Sequence, residues 1–184
     1  MDDKKIVYEG RIMRVVATTK PDGRVLETMI RPPGTRIIVH RLADDNILLT
    51  REIRLDIGED IRLPGGKVVD TIAEWDKIKD SPELSKLVIE AGARELREET
   101  GLTTTDLKLF SVATSGAPTV GHDMYYLVTN EVGEMNEQNL MEDEKITTMW
   151  TPIKEVIEIC LAGKMREGRS VAAVLQYLRS VGRI

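Results

Sequence analysis

The 184-residue sequence contains little cysteine, few aromatic residues and no long apolar run. Its one cysteine, Cys160, excludes an internal disulfide and a metal site built from several cysteines. A stretch of about 18 apolar residues, the length that spans a bilayer, does not occur. The opening residues 1–10 are partly acidic and lack the apolar core of a signal peptide. We therefore expect a cytoplasmic protein without a membrane segment.

The sequence also lacks an excess of basic residues, since 26 lysines and arginines face 31 aspartates and glutamates, giving a net charge of −5. A protein that binds duplex DNA by bulk charge needs a basic face, so nucleic acid is not an expected partner. The balance still allows a small anionic ligand held by a metal ion and a few arginines. With 41% hydrophobic and 31% charged residues, the composition is that of one globular domain with a short appendage.

The N-terminal part of the chain is predicted to consist of strands. Alternating or β-branched residues place these strands at residues 5–8, 11–18 and 24–31. Pro32-Pro33 then interrupts the pattern. We expect residues 1–33 to form a small β appendage and residues 34–184 to form the main domain.

The main domain is predicted to mix strands and helices. The predicted strands are residues 36–42, 46–51, 107–113, 124–129 and 146–151, and the predicted helices are residues 82–100, 152–163 and 170–179. This alternation is too irregular for a doubly wound parallel sheet, so it favours another α/β arrangement. In the first predicted helix, Ser81 suits the N-cap, Pro82 the first helical position and Gly101 the C-terminal stop.

The helix over residues 82–100 carries an apolar stripe that turns acidic near its C-terminal end. At helical spacing the stripe consists of Leu84, Leu87, Val88 and Ala91, and it continues into Glu95, Glu98 and Glu99. Like charges at this spacing repel each other, and a helix C-terminus disfavours anions. Rules of local structure that fail together are typical of functional sites.

Two interpretations of the three glutamates stay open from the residues alone. A run of charge is most often a solvated surface. A group of carboxylates on an otherwise apolar stripe is instead tolerable if a hard cation such as Mg²⁺ or Mn²⁺, which prefers oxygen ligands, neutralises it. The position of the cluster on the stripe favours the cation site.

The residues around this cluster resemble a known motif. Residues 94–102, R-E-L-R-E-E-T-G-L, fit the second half of the Nudix box, R-E-U-x-E-E-x-G-U with U a bulky apolar residue, at every fixed position. L-P-G-G-K at residues 63–67 is similar to the loop that opens the box, and E-A-G-A-R at residues 90–94 resembles its usual lead-in. The chain is thereby identified as a member of the Nudix hydrolase family.

The sequence departs from the box in two respects. Gly66 and Arg94 lie 28 positions apart, which leaves about 14 extra residues, roughly 69–82, between the loop and the helix. Lys86 stands where the box has a further glutamate. The role of that missing acid falls to Asp70, to Glu83 or to no residue.

Further similarities point to the ADP-ribose pyrophosphatase branch of the family. R-E-I-R at residues 51–54 resembles the strand before the box, and Pro118 lies 16 residues after Leu102, close to the distance that marks this branch. The acidic residues 142–144 resemble the loop that supplies a late catalytic glutamate. The strands over residues 5–31 resemble the small sheet that these enzymes use for dimerisation and substrate binding.

The resemblance implies an αβα sandwich around a mixed β-sheet and a homodimer. It also implies Mg²⁺-dependent hydrolysis, with Mn²⁺ able to substitute, of a nucleoside diphosphate linked to another moiety X. ADP-ribose, which would give AMP and ribose 5-phosphate, is the expected substrate. The alternatives are another nucleotide sugar, a dinucleoside polyphosphate, or a non-catalytic nucleotide sensor, although sensors tend to lose box glutamates and this chain keeps all three.

The resemblance also assigns roles within the box. Glu95 and Glu99 are the expected metal ligands, with Glu98 a third ligand or a base and the Gly65 carbonyl completing the coordination sphere. Gly66 is expected to let the backbone approach closely. Arg94 is expected to pair with Glu90 or Glu98 and to hold the loop.

Outside the box the candidates are fewer. One of Glu142 and Glu144, which strand alternation would place on the same side, is expected to act on the attacking water, after a loop over residues 133–141 that is long and polar enough to move. The alternative is that this loop is merely acidic and solvated. Arg51 and Arg54 are candidate phosphate clamps or else surface arginines, and Pro118 is a candidate substrate contact. His40 is expected to be structural. An adenine stacking partner would have to come from Tyr8, Tyr125, Tyr126 and Trp150.

Overall fold

The computed structural model describes residues 2–54, 58–142 and 144–184. In chain order the first elements are β1 (Asp3–Glu9), β2 (Arg14–Thr19), β3 (Val25–Ile30), β4 (Gly34–Arg41), β5 (Asn46–Arg54), β6 (Gly58–Arg62) and α1 (Ile72–Ile78). They are followed by α2 (Leu84–Thr100), β7 (Lys108–Ala113), β8 (Val120–Gly121), β9 (Met124–Thr129), β10 (Ile146–Pro152), α3 (Ile153–Leu161) and α4 (Gly168–Ser180). In this part of the chain no helix has the length and apolar character needed to cross a membrane.

The strands form two sheets. The smaller sheet has the order β1-β2-β3-β8, and its β8 strand comes from the far part of the chain and runs parallel to β3. The larger sheet has the order β10-β5-β4-β9-β7, with β6 paired to the end of β5. Within it β4 and β9 are parallel, and the other pairs are antiparallel.

The larger sheet is covered on both faces because its central strands are apolar on both sides. Alternate residues of β4 face opposite layers: Ile38 packs with α3 and α4, whereas Ile37 and Val39 pack with α2. In the same way, Leu49 of β5 belongs to the first layer and Leu48 to the second. The arrangement is an αβα sandwich around a mixed sheet with a small strand appendage, which confirms the predicted fold class.

Helix α2 differs from its prediction at the N-terminus. It begins at Leu84, with Glu83 as the N-cap, rather than at Pro82 after a Ser81 cap. The Ser81 hydroxyl instead accepts a hydrogen bond from the Glu83 amide at 3.1 Å within the preceding turn. The C-terminus lies where it was expected, because Gly101 adopts φ 72°, a left-handed conformation that ends the helix without a Cβ clash.

The segment inserted between the loop and the helix contains helix α1, which no predicted element covered. Its N-terminus is fixed by a capping box, in which Thr71 and Glu74 bond to each other's backbone amides. The helix region also contacts the N-terminal strands: Ile72 donates to the Arg11 carbonyl at 2.9 Å, and Asp76 binds the Arg14 guanidinium at 2.6 Å. The insertion therefore connects the appendage to the larger sheet. The division at residue 33 stays a prediction.

Candidate active site

A cleft of about 880 Å³ opens between the C-terminal half of α2, the loop over residues 63–70 and the beginning of α4. The ends of β3 and β5 and the segment around residues 139–144 complete its walls. The three box glutamates, Glu95, Glu98 and Glu99, all line it. Helix α2 brings them to one side because they lie three and four positions apart on a helix whose apolar residues face the sheet.

Glu99 is the most deeply placed of the three carboxylates. Its Oε2 accepts a hydrogen bond from the Gly65 amide at 2.8 Å. Burial raises its pKa to about 7, and the neighbouring Glu95 and Glu52 add to that effect, while the Gly65 amide and Arg36 oppose it. A carboxyl group held in this way is protonated about half the time near neutral pH unless a cation binds it.

Glu95 occupies space that a glycine leaves open. A Cβ atom added to Gly66 would lie 2.1 Å from Glu95 Oε2, so only glycine allows the carboxylate to sit against the loop. The pKa of Glu95 is raised by burial and by the charges of Glu98 and Glu144, and it is lowered by Arg94. Close approach of the backbone at Gly66 was the role predicted for this residue, and its geometry fits that role.

The three carboxylates do not form a preformed cage in this conformation. Among the described residues, no three histidine, cysteine, aspartate or glutamate side chains converge around one point. Glu99 turns to the Gly65 amide, and Glu95 turns to the Arg94 guanidinium at 3.1 Å. The oxygen donors therefore lie in one cleft but are engaged with the protein itself.

Arg94 fixes the loop to the helix, although not through the predicted partners. Its Nη2 donates to the Lys67 carbonyl at 3.2 Å and to Glu95 Oε1 at 3.1 Å. The expected partner Glu90 is exposed and lies 4.0 Å from Lys86. Pairing of Arg94 with Glu90 or Glu98 was wrong because the loop carbonyl and Glu95 are its hydrogen-bond acceptors.

A buried ion pair beneath the loop was missed by the sequence reasoning. Arg36, only 6% exposed, donates from Nη1 to the Gly65 carbonyl and from Nε to Glu167 Oε2 at 2.8 Å. Burial opposes the charge of Glu167, but Arg36 outweighs it, and the pKa of Glu167 falls to about 2. The Gly65 carbonyl, a predicted metal ligand, thus accepts a hydrogen bond from Arg36 and keeps one further lone pair.

Glu142 and Glu144 differ in their position relative to the cleft. Glu144 lines the cleft, and its carboxylate accepts a hydrogen bond from the Met141 amide at 3.0 Å. Glu142 is exposed and does not line the cleft, and Asp143 lies outside the described residues. The expectation that Glu142 and Glu144 share one side is therefore wrong, since both precede the strand β10 and its alternation does not apply to them.

The loop before these glutamates is attached to the end of α2. Asn139 donates from its amide to the Glu98 carbonyl at 2.9 Å, and the Asn136 amide donates to the Gly101 carbonyl at 3.0 Å. The Gln138 side chain donates to the Glu99 carbonyl. These bonds satisfy carbonyl groups that a helix C-terminus leaves without partners. The loop thereby fixes the C-terminal end of α2, and it also fixes the position of Glu144 relative to that end.

Comparison with known proteins gives the family. The model of the NUDIX domain matches residues 31–172. The chain belongs to the NUDIX family. The fold is similar to the solved structure of an ADP compounds hydrolase, with a TM-score of 0.71 and 21% identity over 99% of this chain and 95% of that chain. Among curated proteins none matches the chain. The prediction of a Nudix hydrolase enzyme is confirmed.

The predicted phosphate clamps of this Nudix protein separate in the structure. Arg54 lines the cleft and lies 3.5 Å from Glu52, which also binds Arg62 at 2.7 Å. Arg51 is exposed, does not line the cleft and lies 3.7 Å from Glu59. Pro118 is also exposed outside the cleft, where its carbonyl accepts from the Thr28 hydroxyl at 3.4 Å. Of these three predicted substrate contacts, Arg54 is the one that lines the cleft.

The aromatic residues of this Nudix chain stand apart from the cleft. Its described lining contains no phenylalanine, tyrosine or tryptophan. Tyr126 is fully buried, and the ring of Trp150 is covered by the Arg41 guanidinium at 3.9 Å. Neither can stack on an adenine. His40 is structural, as predicted, because it is fully buried and bonded to Tyr177 at 2.8 Å and Asp45 at 2.9 Å.

Proposed function

We propose that the protein hydrolyses the pyrophosphate bond of a nucleoside diphosphate derivative with the help of Mg²⁺, for which Mn²⁺ can substitute. ADP-ribose, giving AMP and ribose 5-phosphate, is the substrate we favour. The observation that carries the proposal is the placement of Glu95, Glu98 and Glu99 in one cleft, where burial, with a smaller effect of Glu95 and Glu52, raises the pKa of Glu99 to about 7. The fold shared with the ADP compounds hydrolase supports the same substrate class.

The residues of the cleft fit a hard divalent cation. Glu95, Glu98 and Glu99 supply carboxylate oxygens, the donors that Mg²⁺ prefers. Gly66 leaves the space into which the Glu95 carboxylate fits. A cation between these groups would replace the hydrogen bonds that Glu99 and Glu95 now accept from the Gly65 amide and from Arg94. It would also favour the ionised form of Glu99, which burial disfavours.

Each residue of the cleft has a separate role in the proposed reaction. When bound, a divalent cation would screen the charge of the diphosphate and lower the pKa of a coordinated water. Glu95 and Glu99 would hold that cation, and Glu98 would serve as a further ligand. Arg54 binds non-bridging phosphate oxygens, since its planar guanidinium matches them. Glu144 accepts the proton of the attacking water, and it is the only one of the two loop candidates that lines the cleft.

A panel of substrates tests the proposal. ADP-ribose, other nucleotide sugars and dinucleoside polyphosphates are incubated with the enzyme and Mg²⁺, and the products are followed by phosphorus NMR. We expect ADP-ribose to be cleaved at its diphosphate and cleavage to stop in excess EDTA. A protein that binds these compounds but cleaves none of them would be a nucleotide sensor. Faster cleavage of a dinucleoside polyphosphate than of ADP-ribose would show that dinucleoside polyphosphates are the preferred substrates.

We also propose that the protein is a homodimer joined through the appendage. The appendage exposes a group of apolar side chains at 45–57% of their surface, namely Ile6, Val7, Tyr8, Ile12, Val25 and Leu26. Small sheets of this kind are stable when a second layer covers their apolar face. Light scattering is expected to give twice the 20.7 kDa of one chain, and Ile6→Glu is expected to give the monomer. Leu161→Glu, at an exposed position on α3, is the matched control. A wild-type monomer at micromolar concentration would contradict the proposal.

A further inference from the structure

Two arginines and a histidine line the cleft away from the box glutamates. They are Arg31 at the end of β3, His122 before β9 and Arg169 in the first turn of α4. We call these three residues the basic wall. Arg169 donates from Nη1 to the His122 carbonyl at 2.7 Å, and its Nη2 lies 3.3 Å from His122 Nδ1. The contact with Arg169 orients the imidazole ring within the cleft.

The basic wall is only partly offset by the acid beside it. Among the described residues, Glu167 is the carboxylate that forms an ion pair with the wall, at 3.9 Å from Arg169. Its closer partner is the buried Arg36, at 2.8 Å. Because Arg36 takes up most of the charge of Glu167, the wall keeps a net positive charge on one side of the cleft.

Arg31 has a donor that lacks an acceptor. Its Nε atom is buried and makes no hydrogen bond to any described residue. A buried N–H group without an acceptor costs free energy, and a guanidinium cannot relieve that cost by losing its proton. The missing acceptor is therefore expected from a molecule that enters the cleft.

His122 is neutral in this setting. Burial, together with the nearby Arg169 and Arg31 and against the opposite effect of Glu167, lowers its pKa to about 4. With Nδ1 accepting from Arg169, the ring proton resides on Nε2, where it is available as a donor. The ring therefore contributes a hydrogen bond rather than a third charge.

We propose that Arg31, His122 and Arg169 form a subsite for a phosphate group of the substrate. This phosphate group is not the one attacked at the box glutamates. The inference rests on the proposed function, because it assigns a place to part of the same nucleoside diphosphate derivative. The phosphate can come from two sources: the half of the diphosphate that is not attacked, or a further phosphate carried by the moiety X. In both cases the recognition is by two guanidinium groups and one neutral imidazole, a donor set suited to phosphate oxygens.

Binding is tested without metal and without turnover. The chain has two histidines, so the imidazole signals of His122 and the fully buried His40 can be followed together by NMR. Inorganic pyrophosphate is titrated into the full-length protein in excess EDTA. We expect the His122 signals to shift and saturate while those of His40 stay in place. Unchanged His122 signals up to millimolar pyrophosphate would overturn the proposal.

Variants inside and outside the basic wall test whether these residues bind the pyrophosphate. Arg169→Gln and Arg31→Gln should each raise the dissociation constant for pyrophosphate by about tenfold, since each removes a charged hydrogen-bond donor. Arg166→Gln, an exposed position three residues away that does not line the cleft, should leave it within about twofold. Two independent variants guard against the misfolding of one, and thermal melting checks both. Equal affinity of all proteins for pyrophosphate would contradict the assignment.

The source of the phosphate is identified by kinetics with Mg²⁺. If the diphosphate itself occupies the wall, Arg169→Gln should lower kcat/KM about tenfold for ADP-ribose and for an analogue that carries an extra phosphate on the ribose. If the extra phosphate occupies it, the loss should be confined to that analogue. No loss with either compound would overturn the subsite. A protein whose His122 responds to pyrophosphate but which hydrolyses nothing would retain the subsite and lose the proposed function.

Discussion

The glutamates of helix α2 and those of the segment 142–144 are the same residue type in two different settings. Glu99 and Glu95 are held on a helix, largely buried, and the pKa of each is raised because water is excluded and other acids are near. Glu142 is exposed, and Glu144 is bonded to the backbone of its own turn. The comparison shows that a run of acidic residues in the sequence does not by itself indicate a cation site. The carboxylates that need a cation to stay ionised are the buried ones.

Removal of the deepest carboxylate should give the largest effect. Glu99→Gln keeps the shape of the side chain and removes its charge, so the enzyme should lose metal affinity and turnover together. We expect kcat to fall by about 10²–10³, the loss typical of a key electrostatic group. Mn²⁺ affinity, measured by electron paramagnetic resonance, should fall by at least about tenfold. A near-native Glu99→Gln enzyme would refute the metal assignment.

Replacement of the loop carboxylate should separate turnover from metal binding. Glu144→Gln should lower kcat by about 10²-fold, the contribution of a general base, with Mn²⁺ affinity nearly unchanged. The control is Glu142→Gln, which should stay within about threefold of wild type because Glu142 does not line the cleft. If both variants and the double variant keep their activity, the base lies in the helix, and Glu98 is the next candidate.

A methyl group at Gly66 should disturb the helix cluster without unfolding the protein. The added Cβ would lie 2.1 Å from Glu95 Oε2, at the far end of a flexible side chain that can move aside. Gly66→Ala should therefore lower Mn²⁺ affinity by about tenfold, since a displaced ligand no longer reaches the ion, with little change in melting temperature. Gly168→Ala, where a Cβ meets no atom within 4 Å, is the control. Equal Mn²⁺ affinities for the two variants would contradict the placement of Glu95.

The smallest effect concerns the stability of the metal-free protein as a function of pH. Burial raises the pKa of Glu99 from its ordinary 4.5 to about 7, so the folded chain binds this proton more tightly than the unfolded chain. The stabilisation is complete below pH 4.5 and is lost as the pH rises through 7. Melting in EDTA should show a fall on the order of 10 °C across this range that Glu99→Gln reduces. A wild-type melting temperature that rises over the same range would contradict the burial of Glu99.

Much of the fold could be predicted because it depends on local patterns. The short, β-branched apolar run within Gly34–Arg41 indicates a strand buried on both faces, and the apolar stripe of Leu84–Thr100 indicates a helix at a period of 3.6 residues. The helix Ile72–Ile78 was missed although its capping box, Thr71 and Glu74, is visible in the sequence. Strand Val120–Gly121 could not be found in this way, because two residues carry no period and their pairing with Val25–Ile30 is non-local.

The candidate site also has parts that could be predicted from the sequence and parts that could not. The cluster on α2 could be predicted because its glutamates are neighbours on one helix. The Arg36–Glu167 pair could not, since its members are 131 residues apart and only the folded sheet brings them together. The one clue was an arginine within the apolar run of Gly34–Arg41. His122 likewise acquires its contact with Arg169 only through the position of α4.

The proposed hydrolysis requires a cation at the helix carboxylates. ADP-ribose cleavage is measured at rising Mg²⁺ concentration, from excess EDTA to saturation, for wild type and Glu99→Gln. We expect no cleavage in EDTA, a saturable return of activity in wild type, and a Glu99→Gln curve that is displaced to higher Mg²⁺ and lower in its plateau. Cleavage that persists in EDTA, or two curves that coincide, would contradict this requirement.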